Sequence, residues 1–384
     1  MKRRIKIKPI LILIFIIFLI FSIIYLLTNN DKNKLKHIGY NIIEANEILK
    51  LSETEINKIL KYDYNKNLIY IIQSDKYKKE KLDLYLEYTT DNNLNYLDIF
   101  NTINDSDFNK KNIDKYIKLL KKYKYSKGLI SFVNNYYNQN ITPNDTVFSL
   151  IEKKYFIIDY LDRYLNYYEN HKELSLDEII TRINSNLDYE FYTNSSEADI
   201  SKGMYTLVNK YNYLKQDFVP NDLVQVSFEH SIQNTKLNKI ALENFIHMFN
   251  EAKKENLIFK ITTAYRDYNF QSTLYNNYVK LDGVKNADTY SARPGYSEHQ
   301  LGYSIDLTTA NYSNFDKFEN TNEYEWLKNN AHKYGFILRY PKNKEYITGY
   351  QFESWHYRYV GAEIATYIYE NNITYEEYYA YYLR

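Results

Sequence analysis

Apolar positions follow different periods along the chain of 384 residues. Residues 10–27 are apolar throughout except for Ser22 and Tyr25. That run approaches the ~20 residues a helix needs to cross the hydrocarbon core of a bilayer. Lys2, Arg3, Arg4, Lys6 and Lys8 precede it, and Leu27-Thr28-Asn29-Asn30-Asp31 after it offers no small-residue cleavage site. The pattern predicts a transmembrane anchor, with the basic tail in the cytoplasm and the remainder exported. Lys32, Lys34 and Lys36 on the far side weaken that asymmetry without reversing it, and a cleaved signal peptide is the alternative.

From about Leu35 to Tyr192 the period becomes helical, with polar turns between short segments. Ile42, Ile43, Ala45, Ile48 and Leu49 share one face, as do Ile56, Ile59 and Leu60. Ser52 with Glu55 three residues later has the form of a capping box. An internal repeat is visible. Leu82-Asp83-Leu84-Tyr85-Leu86-Glu87-Tyr88 matches Leu161-Asp162-Arg163-Tyr164-Leu165-Asn166-Tyr167, and Leu97–Asn104 echoes Leu176–Asn184. His37 and His171 stand apart from any carboxylate–histidine pattern and read as surface residues. The region is therefore expected to be a stacked helical spacer.

Beyond Leu187 helical and alternating periods mix. Tyr205-Thr206-Leu207-Val208 reads as a strand and Val219–Asp222 as a turn. Thr235–Glu255 reads as an amphipathic helix bearing a structural His247, and Leu257–Ala264 as a strand. A helix over Asn269–Val279 and a long loop over Lys280–Glu298 follow. The remaining expectations are a strand over Leu301–Leu307, a helix over Asn322–Tyr334 ending at Gly335, and strands at Phe336–Arg339 and Phe352–His356. A closing helix is expected over Ala362–Glu370. The expected fold class is α+β, a small antiparallel sheet with helices on one face. The implied division is residues 1–30 for the tail and anchor, 31–192 for the helical region and 193–384 for the chemistry-bearing domain.

Charge adds little to this picture. Lys and Arg number 49 against 48 acidic residues, so the net charge of +1 gives no electrostatic case for a nucleic-acid partner. The 46 tyrosines are spread along the whole chain and mark no site. Absence of cysteine excludes disulfides and restricts any metal site to nitrogen and oxygen ligands.

Such ligands occur in two stretches, Ser297-Glu298-His299-Gln300-Leu301-Gly302-Tyr303-Ser304-Ile305-Asp306 and Glu353-Ser354-Trp355-His356. Zinc hydrolases commonly hold the metal by three protein ligands, and a further carboxylate takes a proton from water. His299, Asp306 and His356 would be those ligands and Glu353 the base. On the Glu353–His356 spacing alone, a surface carboxylate beside a core histidine is the better account.

The ordered motifs decide between these readings. Ser-x-His-x-x-Gly-x-x-x-Asp and Glu-x-Trp-His, with Ala264–Tyr268, Gln271, Ala292–Gly295, Tyr334–Pro341, Ile347–Tyr350 and His356–Gly361, resemble the VanY-type zinc D-alanyl-D-alanine carboxypeptidases of peptidase family M15. The resemblance runs from about Asn209 to about Tyr369; Ser304, Ile305 and Ser354 depart from the usual pattern without removing a reactive group. It implies Zn²⁺ held by His299, Asp306 and His356, with Glu353 as catalytic base. It also implies that Arg266 pairs with the substrate's terminal carboxylate, and that Gln271 and Ser297 hydrogen-bond the peptide near the scissile bond. The implied partner is the peptidoglycan stem peptide, and the implied reaction is release of its terminal D-alanine outside the membrane. L,D-carboxypeptidase or endopeptidase activity on the same peptides, or a non-catalytic wall-binding role, are the alternatives.

Overall fold

A computed structural model describes residues 7–310 and 315–384. The chain forms two compact units that divide between Phe156 and Ile157. In the first, helix α1 (Ile7–Ile38) is 32 residues long. Its large apolar side chains from Leu11 to Leu26 are exposed, and it is long and apolar enough to cross a membrane. Lys2, Arg3, Arg4 and Lys6 lie outside the described residues. The helix does not stop where the apolar run ends. It continues until Leu35 is fully buried in a cluster with Tyr40, Ala45, Ile48, Ile59 and Leu68, so the apolar segment and the first helical core share one rod.

Short helices follow, as the period predicts, and Ser52 and Glu55 do form a capping box. The repeat rests on a buried tyrosine that closes each helix pair. The Tyr85 hydroxyl donates to Asn104 Oδ1 at 2.8 Å, and Tyr164 donates to Asn184 Oδ1 at 2.5 Å. The same clasp recurs between Tyr116 and Asn134 at 2.7 Å, which reveals a copy that the sequence match does not show. The Tyr164 copy falls in the second unit, so the compact division lies upstream of the boundary expected at 192/193.

The second unit is built on an antiparallel sheet of β1 (Phe259–Thr263), β2 (Ser304–Thr309), β3 (Phe336–Leu338) and β4 (His356–Tyr359), in the order β1-β2-β4-β3. Helix α2 (Lys239–Lys254) starts at the Asn238 cap and buries Ala241, Phe245, Met248, Phe249 and Ala252. These residues recur at helical spacing and pack on Phe259, Ile261, Ile305, Leu307 and Tyr357. Alternation along the strands then turns Ser304, Asp306, His356 and Arg358 to the opposite face. Helix α4 (Asn322–Asn330) buries Leu327, helix α5 (Ala362–Asn371) packs through Ile364, Ala365 and Ile368 on Ile337 and Leu207, and α6 (Tyr375–Tyr382) closes the unit.

Several expected elements differ from the observed ones. Residues 205–208 form no strand, because a short 3-10 helix occupies Ile200–Tyr205. The carbonyls of Met204 and Thr206 are taken instead by the Arg358 guanidinium, at 2.9 and 3.1 Å. A short strand, Lys236–Asn238, precedes α2 where helix was expected. The segment expected to be a loop after Val279 is helical, since α3 runs Tyr268–Tyr290 and breaks only at Gly283, at φ 77°. Glu353 lies before β4 in a turn, not in a strand, and α6 was not anticipated.

Candidate active site

The three expected ligands converge although they come from separate elements. A short 3-10 helix, Glu298–Leu301, carries His299 and is closed by Gly302 at φ 74°. The chain then enters β2, where Asp306 is the direct cross-strand partner of His356 in β4. One donor atom from each of His299, Asp306 and His356 lies within 4.8 Å of the others. His299 Nε2 is 3.4 Å from Asp306 Oδ2, and His356 Nδ1 is 3.1 Å from Asp306 Oδ1.

The other ring nitrogens are already committed. His299 Nδ1 donates to the Ala264 carbonyl at 2.6 Å, and His356 Nε2 donates to Glu298 Oε1 at 2.9 Å. This leaves His299 Nε2 and Asp306 Oδ1 buried with no hydrogen-bond partner. Buried polar atoms without partners are costly, and two of them aimed at a shared point with a second imidazole fit a divalent ion. Two nitrogens and one carboxylate, each histidine fixed from behind, form a donor set suited to zinc.

Electrostatics follow from burial and pairing. Burial alone would raise Asp306, but His299 and His356 hold it well below the usual carboxylate range. Burial, then the nearby Arg266 charge, lowers His299. Burial opposes protonation of His356, but the Asp306 and Glu298 carboxylates overcome it and raise His356 to about 9.

Glu353 stands beside this group, with Oε2 at 3.5 Å from His356 Nδ1. Residues three apart in a strand would point to opposite faces. Here the His356 N–H donates to the Glu353 carbonyl at 3.3 Å, and the Glu353 N–H to the Tyr340 carbonyl at 3.1 Å. The resulting turn brings both side chains to one side. Burial is the main reason that Glu353 is raised to about 8, with His356 pulling against it and Asp306 adding to it.

All of these groups line a cavity of about 470 Å³ together with Arg266, Gln271 and Ser297. Arg266 follows β1, and its backbone N–H reaches the His299 carbonyl at 3.4 Å. Its Nε is buried without a partner. The neighbouring Asp267 caps α3 by accepting from the Phe270 N–H at 2.7 Å. Gln271 uses its Nε2 on the Ala292 carbonyl at 2.7 Å, leaving Oε1 buried and unpartnered. Ser297 is buried at the start of the 3-10 helix.

Sequence reasoning assigned no role to Glu298, which is 1 % exposed. Besides His356, its carboxylate accepts from Ser304 Oγ at 2.8 Å, Arg339 Nε at 2.8 Å and Arg358 Nη1 at 3.3 Å. Arg339 in turn holds Glu376 of α6 through two bonds, at 2.9 and 2.7 Å. Two buried acids thus face two buried arginines. Burial would raise Glu298, but Arg339 and Arg358 keep it well below the usual range, so it remains a charged acceptor behind His356. The available signal was a charged residue inside apolar strand sequence, as in Phe336-Ile337-Leu338-Arg339 and Tyr357-Arg358-Tyr359.

Residues 234–362 match the VanY D-alanyl-D-alanine carboxypeptidase family. The chain is 40% identical over 184 residues to the putative carboxypeptidase YodJ of Bacillus subtilis (strain 168), covering 46% of this chain and 67% of that protein. It is 35% identical over 192 residues to a D-alanyl-D-alanine carboxypeptidase of Enterococcus faecium, covering 48% of this chain but only 59% of that relative's length. Among solved structures it is similar to the LdcB LD-carboxypeptidase, at 41% identity, covering 45% of this chain and 84% of that one, with a TM-score of 0.41. On its family match and its identity to YodJ, the chain belongs to the VanY family of D-alanyl-D-alanine carboxypeptidases.

Proposed function

We propose that this protein is a zinc-dependent carboxypeptidase that hydrolyses the terminal D-Ala-D-Ala bond of peptidoglycan stem peptides and releases D-alanine. The observation that carries this reading is the convergence of His299, Asp306 and His356, with Glu353 beside them in the cavity that also holds Arg266. Zinc held there supplies a Lewis acid and makes water nucleophilic near neutral pH. Glu353, 3.5 Å from His356 Nδ1, takes the proton of the attacking water and returns it to the leaving amine. Arg266 pairs its planar fork with the substrate's terminal carboxylate. Gln271 Oε1 accepts from a peptide N–H, and Ser297 hydrogen-bonds beside the scissile bond.

Helix α1 anchors the chain in the membrane, the following helices act as a spacer, and the active site lies on the outer side, where this substrate is found. The test is D-alanine release by the zinc-loaded chain from a pentapeptide ending in D-Ala-D-Ala and from the tetrapeptide lacking the last residue. Release from the pentapeptide alone is expected. Release from the tetrapeptide alone would make the enzyme an L,D-carboxypeptidase, and internal cleavage would make it an endopeptidase. No cleavage of either, with zinc bound, would leave a wall-binding protein.

A further inference from the structure

The whole-chain charge of +1 hides a local excess in the first unit. Residues 110–127, in the repeat clasped by Tyr116 and Asn134, carry eight lysines against one acid, Asp114. All but Lys115 are exposed, and among the described residues none of the eight makes an ion pair. Elsewhere the chain pairs such lysines with a carboxylate three residues earlier. Lys50 lies 2.5 Å from Glu47, Lys172 2.7 Å from Glu169, Lys254 2.6 Å from Glu251 and Lys328 3.4 Å from Glu325.

The lysines form a file. Helix Ile113–Leu120 buries Ile113, Tyr116, Leu119 and Leu120. Helical periodicity puts Lys115, Lys118 and Lys122 on the opposite side, and Lys110 and Lys111 extend the row from the 3-10 turn before it. The preceding repeat adds the exposed Lys76, Lys78 and Lys79, and its turn meets this one where Lys81 lies over Phe108 at 5.5 Å. Folding does not ask for this arrangement. Lys110 and Lys111 stand at the positive end of the helix dipole, and Lys111 with Lys115, like Lys118 with Lys122, places like charges four apart; both weaken a helix. Nor does the repeat require it. The copy clasped by Tyr164 makes the same 3-10 turn with Ile158-Asp159-Tyr160, and its residues 161–175 set Arg163 and Lys172 against Asp162, Glu169 and Glu173.

We propose that this face docks a linear polyanion, recognised by its repeated charge and not by its shape. Lysines are hydrated point charges without the fork that arginine brings to a single phosphate or carboxylate, so a file of them suits a chain of anionic groups. An anionic membrane surface fits less well. The apolar side of the helix is buried within the repeats, and among the described residues no large apolar side chain is exposed between Leu97 and Phe191. Nothing here enters a bilayer as the apolar face of an interfacial helix does. The helical region is then a docking module as well as a spacer, and this role does not rest on the proposed reaction.

The probe is long-chain inorganic polyphosphate, titrated against the full-length chain in nonionic detergent, with a melting curve recorded for each variant. Lys111→Gln, Lys115→Gln, Lys118→Gln and Lys122→Gln together should weaken binding about tenfold or more at low salt and flatten its salt dependence, because fewer counterions are released. Lys118→Glu with Lys122→Glu should weaken it several-fold, and serves if the fourfold variant fails to melt cooperatively. Removing the same charge from paired lysines, as Lys50→Gln, Lys172→Gln, Lys254→Gln and Lys328→Gln, should change binding less than about twofold, since a carboxylate already sits beside each. Equal loss from the file and from the paired set would leave only net charge and overturn the proposal, as would a wild type that does not bind polyphosphate at low salt. Competition by orthophosphate at equal total phosphate would show a site for single phosphates. Displacement of polyphosphate by phosphatidylglycerol added to the micelles would show a membrane surface. Either result would overturn it as well.

Discussion

Glu298 has no free face. His356, Ser304, Arg339 and Arg358 all donate to it, and the first of these bonds fixes which nitrogen of His356 looks into the cavity. Replacing Glu298 by glutamine keeps the shape but leaves two buried arginines short of a counter-charge. Groups behind a metal ligand typically contribute 10–100-fold to metal affinity, so Glu298→Gln should weaken zinc binding by about that factor in a chelator competition. Breaking a buried ion pair also costs about 3–5 kcal/mol, which a lowered melting temperature would report. Unchanged zinc affinity would show that His356 is held without it. At this scale the sequence displayed the residues that converge, because His299, Asp306, Glu353 and His356 sit in short recognisable strings. It did not display what lies behind them, since a buried Glu298 and a solvated one look alike until Arg339 and Arg358 are brought beside it by strand pairing.

Among elements, the turn at Gly302 leads from the 3-10 helix carrying His299 into the strand carrying Asp306. Gly302 adopts φ 74°, and a Cβ there would stand 2.7 Å from Leu223 Cδ2 and 3.3 Å from Pro220 Cγ. A left-handed conformation costs an ordinary residue roughly 1–2 kcal/mol. Gly302→Ala should therefore lower stability by about that amount in a denaturant titration. It should also lower metal affinity, because the turn sets His299 against Asp306; an equally stable, equally metal-binding variant would refute that coupling. Local pattern sufficed for β1, β3 and α5, whereas β2 starts at Ser304, three residues later than expected, because Glu298–Leu301 is a 3-10 helix closed by Gly302, and α2 starts only at Lys239 behind a short strand. It failed where side chains replaced ladder bonds, as with Arg358 on residues 204–206, and in α3, where Gly283 and the polar run around it masked helix on both sides. The Glu353–His356 turn was also hidden, because a three-residue offset reads the same in a strand or a turn.

Across the whole second unit, one chain of contacts reaches His356 from the last helix repeat. Arg384 donates to the Asn184 carbonyl at 2.6 Å, and Thr181 is hydrogen-bonded to Tyr381 of α6. Helix α6 supplies Glu376 to Arg339, Arg339 holds Glu298, and Glu298 holds His356. A chain beginning at Ile157 keeps that route and should bind zinc as the full-length protein does. One beginning at Thr193, at the boundary that the helical period suggests, lacks the helices Leu161–Asn170 and Leu176–Asn184 and should melt lower and bind zinc more weakly. Equal behaviour of the two would show that these helices are dispensable. The helical character of this region was legible from period alone, but its attachment was not, since it depends on residues 200 positions apart. The central claim is that this assembled protein holds zinc with three side chains and uses a fourth as the base. Its most direct test is zinc content after dialysis, set beside D-alanine release, for full-length Glu353→Gln and His356→Ala. Glu353→Gln should retain zinc while release falls about 10²–10⁴-fold, and His356→Ala should lose the metal. Zinc lost equally from both variants, or undiminished release by Glu353→Gln, would contradict the account.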